Sequence, residues 1–259
     1  MKILWASPLP PCRSGVSDYA VDLLLELASR ACVRVVEPPE WSAPEGRLFG
    51  EMVAVVPTGT QAAPDEVSLV HLGNNSHHLW LLERLRRPRT AVVLHDLVLH
   101  HLLVEAAPQG GGFGPLGEWL RDAHGCAGGD LAAARDVGFA GRRDPFLFPA
   151  RKPFLRDAEA VIVHSHWAQD QVQREMPGLP VGFIGLPAAD PGAIDRAVVR
   201  SRLGLAHDDV VIMHLGFLTP EKGLHAILGG VAAATRAGIA ARLVLVGEGA
   251  TGADLLQVA

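Results

Sequence analysis

The sequence has few cysteines and no long hydrophobic run, and both shortages exclude classes of protein. Its three cysteines, Cys12, Cys32 and Cys126, form no Cys-x-x-Cys pair and cannot all be bridged, so a reducing compartment is expected. No stretch approaches the roughly 20 apolar residues that a membrane-spanning helix needs. The apolar start is too short for a signal peptide, because prolines follow from Pro8 onward. These features predict a soluble, cytoplasmic protein.

An excess of positive charge is also missing. The 259 residues carry a net charge of −5 without long runs of one sign, whereas a nucleic-acid-binding surface needs clustered lysine and arginine. Nucleic acid is therefore not expected as the main partner. Apolar residues make up 49% of the chain and charged residues 20%, which is typical of a globular protein with a sizeable core.

Short apolar runs alternate with helical patterns along most of the chain. This alternation predicts an α/β fold with a doubly wound parallel sheet and helices on both faces. The predicted strands of the first domain are 3–6, 33–36, 52–56, 68–72, 90–94, 160–164 and 181–184. The predicted helices follow the first turn and cover 76–86, 97–105, 116–123 and 167–175. A glycine-rich surface loop is predicted over residues 107–117.

The pattern restarts after a linker at residues 188–192. A helix at 194–203, a strand at 210–215, a helix at 221–237, a strand at 242–246 and a helix from about residue 252 are predicted beyond it. We therefore expect a complete N-terminal Rossmann-like domain at residues 1–188 and the start of a second one at residues 189–259. The second stretch is shorter than a usual domain of about 100 residues, so we expect the chain to stop before that domain is finished.

The first strand leads into a turn that contains Ser14 and Gly15 and then into a helix. A glycine at this position lets a ligand approach the backbone, and the first N–H groups of the helix favour a phosphate. The Gly-x-Gly-x-x-Gly pattern of nicotinamide-binding proteins is absent. The alternative is a plain loop in which Ser14 caps the helix.

Polar residues follow the strand at 68–72. Gly73 permits a tight turn, and Asn74 and Asn75 supply donors and acceptors suited to hydroxyl groups. Ligands collect at the carboxyl ends of the strands in such sheets. In the alternative reading, Asn75 or Ser76 caps the next helix and the histidines of this segment are exposed.

His95 and Asp96 end the strand at 90–94, and we expect His95 to make a polar contact with a bound substrate. A metal hydrolase built on this pair is a weaker alternative, because the known His-Asp phosphohydrolases are all-helical. His100, on the following helix, is either packed or exposed.

The segment Thr219 to Gly223 opens a helix in the second domain. Thr219 as N-cap and Pro220 at the first helical position fit a helix start. Lys222 would then lie in the first turn, where a cation opposes the helix dipole unless an anion is bound nearby. A surface lysine is the alternative.

In their order along the chain, these segments resemble the retaining family-4 glycosyltransferases of the GT-B fold. The resemblance covers essentially the whole chain. It is carried by Ser14-Gly15-Val16-Ser17-Asp18-Tyr19, Gly73-Asn74-Asn75 with His78, Val92-Val93-Leu94-His95-Asp96, Ala160-Val161-Ile162-Val163-His164-Ser165, Gly216-Phe217-Leu218-Thr219-Pro220-Glu221-Lys222-Gly223 and Leu243-Val244-Leu245-Val246-Gly247-Glu248-Gly249.

The resemblance implies a hexosyltransferase-type enzyme with two Rossmann-like domains that face each other across a cleft. The first would bind the acceptor and the second a nucleotide-sugar donor. Gly15 would lie near the donor phosphates, His95 would contact the transferred sugar as the catalytic residue, and Lys222 would neutralise the diphosphate. No cofactor or metal is required in principle.

The remaining polar residues of the two strand ends are assigned to the acceptor or the sugar: Asn74, Asn75, His78 and Asp96. A glycan, a lipid and a small molecule all stay open as the acceptor, and so does peripheral contact with a membrane.

Two departures from the family pattern affect these expectations. The residues before the lysine loop, Gly216 to Leu218, contain no arginine to share the phosphates with Lys222. The family's Glu-x7-Glu segment has no counterpart after Glu248, so the chain alone is expected to be inactive or nearly so. A non-catalytic module that binds a glycan or a partner is the alternative function.

Overall fold

The computed structural model describes residues 1–39, 53–107, 116–188, 190–218 and 222–249. Several predictions lie wholly or partly outside these residues: most of the glycine-rich loop, Met52, the linker residue Ala189, Thr219 to Glu221, and the helix from about residue 252. The chain forms two compact units, Met1–Ala188 and Ala189–Ala259. Each unit is described by itself.

The first unit contains a seven-stranded parallel sheet in the order β3-β2-β1-β4-β5-β6-β7. Its strands are β1 Lys2–Ala6, β2 Cys32–Val36, β3 Ala54–Val56, β4 Glu66–Leu72, β5 Thr90–Leu94, β6 Ala160–Val163 and β7 Val181–Phe183. All neighbouring pairs run parallel. The predicted strands are present, with ends that differ by a residue or two, and the predicted α/β fold with a doubly wound sheet is confirmed.

Both faces of this sheet are buried, because successive residues of a strand point to opposite faces. Leu4 of β1 belongs to one hydrophobic cluster and its neighbour Trp5 to another. The helix α1, Gly15–Ala28, packs on the Trp5 face through Tyr19 and Leu24. Most other helices of the unit cover the Leu4 face.

The remaining helices of the first unit differ in places from the predicted pattern. They are a 3₁₀ helix at Ser76–Arg86, α2 His100–Ala106, α3 Leu116–Asp136, α4 Asp144–Leu147, α5 Lys152–Leu155 and α6 His166–Glu175. The 3₁₀ form fits a period of three, since His78, Leu81 and Arg84 are all buried. The helix α3 runs beyond the predicted end at residue 123 and is broken at Gly125, where φ is 65°.

The second unit contains α7 Arg196–Arg202, β8 Val210–Leu215, α8 Leu224–Arg236 and β9 Ala241–Val246, and β8 and β9 pair in parallel. Lys222 itself has 3₁₀-helical geometry, and α8 begins two residues later. Gly223 has a left-handed backbone, with φ 67°, and precedes the helix as its N-cap. The helix α8 therefore begins after Lys222 rather than at the predicted residue 221.

Within the described ranges, none of the helices has both the length and the apolar character needed to cross a lipid bilayer.

Candidate functional site

The order in which strands are added to the sheet of the first unit reverses between β1 and β4. The chain runs from β1 through α1 to β2 and β3 on one side, and then places β4 on the opposite side of β1. In open parallel sheets, helices leave the two sides of such a point in opposite directions and open a crevice at the carboxyl ends of the strands. The side chains at the ends of β1, β4 and β5 therefore belong to the candidate site.

Three histidines occupy the ends of three adjacent strands. His71 is the penultimate residue of β4, His95 follows β5 and His164 follows β6. Alternation along each strand places all three on the same face as Trp5, because Leu72, Leu94 and Val163 belong to the opposite cluster. His71 Nδ1 lies 3.0 Å from His95 Nε2, and the ring centroids of His95 and His164 are 4.9 Å apart.

Two aromatic side chains hold these rings. The Trp5 ring lies against His71, with centroids 3.9 Å apart, and its indole N–H donates to Ser7 Oγ at 2.7 Å. Tyr19 of α1 meets His95 edge-on at 4.8 Å and His164 at 5.2 Å. The helix that follows the first turn therefore contributes directly to the histidine cluster, which we define as His71, His95 and His164.

Burial keeps His71 and His95 neutral. Removal from water, followed by the neighbouring His164 and His78, lowers the pKa of His95 to about 3. Burial, followed by the nearby histidines, also lowers the pKa of His71 well below its ordinary value. Burial raises the pKa of Tyr19 to about 12. At neutral pH these groups can donate and accept hydrogen bonds, but they carry no charge.

Unpaired polar atoms are concentrated at the same edge of the sheet. Among the described residues of the first unit, the buried side-chain atoms without a hydrogen-bond partner are Ser17 Oγ and the Nε2 atoms of His71, His78 and His164. Each such atom costs about 1–3 kcal/mol when it stays unpaired. Several of them together indicate a place where a polar ligand completes the hydrogen bonding.

The side chains around Gly73 leave little room for a Cβ atom at that position. A Cβ at this position would lie 2.7 Å from His78 Nε2 and 3.2 Å from Asp96 Oδ2. His78 is fully buried, its Nδ1 bonds to the carbonyl oxygen of His71 at 3.1 Å, and burial lowers its pKa to about 4. Asp96 Oδ2 accepts from the backbone N–H of Asn74 at 2.9 Å. These contacts hold the residues after β4 close to the residues after β5.

The two asparagines use their side-chain oxygens within the fold. Asn74 Oδ1 accepts from the backbone N–H groups of His101 and Leu102 at 3.0 and 3.1 Å, and so caps the start of α2. Asn75 Oδ1 accepts from the N–H of His77 at 3.1 Å and caps the 3₁₀ helix. Contacts from Asn74, Asn75, His78 and Asp96 to a sugar or an acceptor stay predictions.

Gly15 is the first residue of α1, after the N-cap Ser14, whose Oγ accepts from the N–H of Val16 at 3.3 Å. Gly15 is exposed, and a Cβ added to it would meet nothing within 4 Å. The backbone at this helix start is open to an approaching group, but the proximity of Gly15 to donor phosphates stays a prediction.

Lys222 is exposed and belongs to the second unit. The loops that follow β8 and β9 are paired in that unit: the N–H of Gly216 donates to Val246 O at 2.9 Å and that of Leu218 to Glu248 O at 2.8 Å. Whether Lys222 binds a diphosphate is a prediction that this geometry leaves open.

The chain resembles several solved structures distantly. No protein-family model matches it, and no curated protein sequence matches it. A complex of Anabaena Alr3699/HepE with UDP and glucose is 17% identical with a TM-score of 0.46, covering 100% of this chain and 65% of that one. Apo Phytolacca americana UGT2 is 14% identical with a TM-score of 0.39, covering 83% of this chain and 57% of that one.

Medicago truncatula UGT71G1 with UDP-glucose is 12% identical with a TM-score of 0.37, covering 94% of this chain and 65% of that one. This chain thus spans less than two thirds of the length of each of these three structures. All three identities are 17% or lower, and all three TM-scores are below 0.5.

In the part of the chain that the structure describes, no group of three or more His, Cys, Asp or Glu side chains is arranged to hold a metal ion. His100 is packed: it is fully buried, and its Nδ1 bonds to Phe148 O at 2.8 Å.

Reasoning from the sequence overlooked His71, His164 and Tyr19 as members of the site. The signal was present in the strand ends, which read Val70-His71-Leu72-Gly73, Val93-Leu94-His95-Asp96 and Ile162-Val163-His164-Ser165. Each histidine interrupts or ends a buried apolar run, and period-two alternation places all three on one face. Tyr19 gave no such signal, because its contact with His95 depends on how α1 packs.

Proposed function

We propose that this chain belongs to a glycosyltransferase of the GT-B type, which moves a hexose from a nucleotide-sugar to an acceptor. The observation that carries the proposal is the histidine cluster at the switch point of the sheet. Burial keeps His95 neutral, and His164 has an unpaired Nε2 atom, so the cluster can hydrogen-bond to sugar hydroxyl groups without a positive charge on His95. A charged substrate group would instead favour lysine or arginine at this edge.

The proposed roles follow the resemblance residue by residue. His95 contacts the transferred sugar as the catalytic residue, Gly15 lies near the donor phosphates, and Lys222 of the second unit neutralises the diphosphate. Fixed hydrogen-bond donors and a lysine stabilise the charge that develops as the sugar–phosphate bond breaks. Membership of family 4, retention of configuration and a cytoplasmic location are parts of the same proposal. Catalysis without a metal is a further part of it.

Binding of UDP-glucose, followed by calorimetry, tests this proposal in the chain as it exists. The His95→Ala variant is expected to bind about tenfold more weakly, because it loses one hydrogen bond to the sugar. His77→Ala is the matched control, since His77 is exposed and lies outside the cluster. Equal binding by wild type and His95→Ala would remove His95 from the mechanism. If neither UDP-glucose nor any nucleotide-sugar of a wider panel binds, the proposal that the donor is a nucleotide-sugar is overturned.

We further propose that the 259-residue chain turns over little donor, because no Glu-x7-Glu segment follows Glu248 in it. Release of the nucleotide from bound donor, with and without an acceptor, measures this. Turnover at ordinary enzymatic rates would contradict the proposed low activity and would support transfer directly. Donor binding with no turnover in any longer form of the protein would favour the non-catalytic binding module.

Peripheral membrane contact is proposed through segment 137–147. This segment exposes Val137, Phe139, Phe146 and Leu147, with exposed fractions from 67% to 72%. Arg142 and Arg143 are also exposed between them. Exposed phenylalanine and leucine beside arginine are typical of surfaces that bind the headgroup region of anionic bilayers.

A further inference from the structure

The contact between His71 and His95 determines where the proton of His95 resides. His71 Nδ1 and His95 Nε2 are 3.0 Å apart, which is an ordinary hydrogen-bond distance. Both rings are neutral because of their burial, so one nitrogen must donate and the other must accept. Each of the two arrangements fixes a different tautomer of His95.

The surroundings of His71 select between these arrangements. His71 Nε2 is buried and has no hydrogen-bond partner among the described residues. If His71 accepted at Nδ1, its own proton would sit on Nε2 as a buried N–H without an acceptor. Orphaned buried N–H groups are rarer in proteins than unpaired acceptors. Donation from Nδ1 of His71 to Nε2 of His95 is therefore favoured.

Two nearby histidines show the same pattern. The Nδ1 of His78 bonds to His71 O at 3.1 Å, and that of His164 bonds to Ile184 O at 2.9 Å. A carbonyl oxygen can only accept, so both rings must carry their proton on Nδ1. Their Nε2 atoms, like that of His71, are buried and unpaired.

His71 is itself held rigidly enough to act on its neighbour. It lies inside strand β4 and is fully buried. Its ring lies against Trp5 at 3.9 Å, and Trp5 is anchored in turn by its bond to Ser7. Tyr19 closes the other side of His95 at 4.8 Å. Rotation of either imidazole would break these contacts.

We propose that His71 is a positioning residue for His95: by donating to Nε2, it holds the proton of His95 on Nδ1 and aims that N–H at the ligand. This inference rests on the proposed sugar transfer, in which Nδ1–H would donate to an oxygen of the bound sugar. A donor fixed before the ligand arrives does not have to reorient during the reaction. In this proposal His71 acts on the ligand through His95.

Nitrogen-15 NMR of the imidazole rings tests the tautomer without any measurement of activity. In the wild-type chain at neutral pH, His95 is expected to show a protonated Nδ1 and an unprotonated Nε2. A wild-type spectrum with the proton on Nε2 would overturn the proposal by itself. This measurement needs no variant, so a variant that fails to fold does not leave the proposal undecided.

Two substitutions at His71 separate positioning from packing. His71→Gln keeps a side-chain N–H that can donate to His95 and is expected to retain the Nδ1–H tautomer. His71→Leu keeps apolar bulk but removes the donor, and His95 is expected to become a mixture of tautomers. His77→Gln, at an exposed position, is the control and leaves the His95 signals unchanged. A His95 tautomer that is unaffected in a folded His71→Leu protein would contradict the proposal.

Binding of UDP-glucose to the same variants distinguishes this inference from the proposed function. His71→Leu is expected to weaken binding about tenfold, which is the loss of one aligned hydrogen bond, while His71→Gln binds nearly as wild type. If the tautomer behaves as expected but no nucleotide-sugar binds the wild type, the function is wrong and the positioning is right. If wild type and His71→Leu bind equally, His71 does not position His95 for this ligand.

Discussion

At the scale of single residues, the site depends on one position without a side chain. Gly73 separates the end of β4 from two polar groups, His78 Nε2 and Asp96 Oδ2. Its role is not conformational freedom, since the close approach of those groups is what leaves no room for a Cβ. The sequence indicated a tight turn at Gly73, but it could not show which side chains would crowd it.

Replacement of Gly73 by alanine is expected to disturb His78. The added Cβ would lie 2.7 Å from Nε2 of a fully buried ring, so either the ring or the strand end must move. We expect a loss of about 2 kcal/mol in the free energy of unfolding, measured by urea denaturation. Gly59→Ala is the control, because nothing lies within 4 Å of a Cβ there. Equal free energies of unfolding of the two variants would show that the end of β4 rearranges around the added Cβ at little cost.

The asparagines show where reasoning from single residues stops. Asn75 caps the helix that starts next to it, an alternative that the sequence had left open. Asn74 instead caps α2, with its oxygen on the N–H groups of His101 and Leu102, 27 and 28 positions away. A local pattern cannot indicate such a partner, because the contact exists only after β4 and β5 have paired.

At the scale of elements, the second unit depends on a close approach between two turns. A Cβ on Gly247 would lie 1.8 Å from Gly216 O, so the loops after β8 and β9 can pair only if residue 247 is glycine. This pairing continues the two strands beyond their ends.

Substitution of Gly247 by alanine is expected to separate these loops. The clash is with backbone atoms, so we expect a loss of about 3 kcal/mol from the second unit. Hydrogen exchange at the Leu218 amide, which bonds to Glu248 O, is expected to accelerate. Gly230→Ala on α8 is the matched control, since a Cβ there meets nothing and alanine favours a helix by about 1 kcal/mol. Unchanged exchange at Leu218 would refute the clash.

Segment 137–147 makes a prediction about membranes at the same scale. Backbone hydrogen bonds order it, such as Phe139 N to Ala134 O at 2.9 Å, and it still exposes Phe139 and Phe146. The chain is expected to sediment with vesicles that contain phosphatidylglycerol more than with neutral phosphatidylcholine vesicles. Arg142→Gln with Arg143→Gln should abolish that preference.

A second variant tests the apolar part of this contact. Phe139→Ser with Phe146→Ser should weaken binding about tenfold or more, because two buried rings are lost. Trp167→Ser with Arg174→Gln is the control, since both residues are exposed on α6, outside the segment. Equal loss in the control, or no vesicle binding by the wild type, would exclude this contact.

At the scale of the whole molecule, the strand-end histidines make stability depend on pH. The ordinary pKa of histidine is 6.5, whereas His78 titrates at about 4 and His95 at about 3 in the folded chain. Below pH 6.5 the unfolded chain therefore takes up protons that the folded chain does not. Stability is complete above that pH and falls as the pH decreases toward the folded pKa values.

Urea denaturation between about pH 7.5 and about pH 5 measures this dependence. Each neutral buried histidine is expected to contribute about 1.4 kcal/mol per pH unit on the acidic side of its unfolded pKa. The variant His78→Gln lacks one of these groups, so its stability should decline less steeply than that of the wild type. If the stability of the two proteins declines equally steeply with falling pH, His78 takes up its proton as readily in the folded state as in the unfolded state.

The sequence by itself determined the alternation of strands and helices, the parallel sheet and the edge at which polar residues gather. These features follow from local periods, since two-residue and helical repeats of apolar side chains specify which face is buried. The helix start at Leu224 was displaced from the predicted one by a left-handed glycine at 223. A local pattern alone does not reveal that backbone angle.

Only the tertiary structure decided how the polar residues are paired. The 3.0 Å bond joins His71 to His95 across 24 positions, and Trp5 reaches His71 from a strand that is far earlier in the chain. These contacts depend on the order of strands in the sheet, which places β4 between β1 and β5. Strand order is set by the packing of whole elements, and for that reason the sequence predicted which strand ends carry polar residues but not the hydrogen bonds between them.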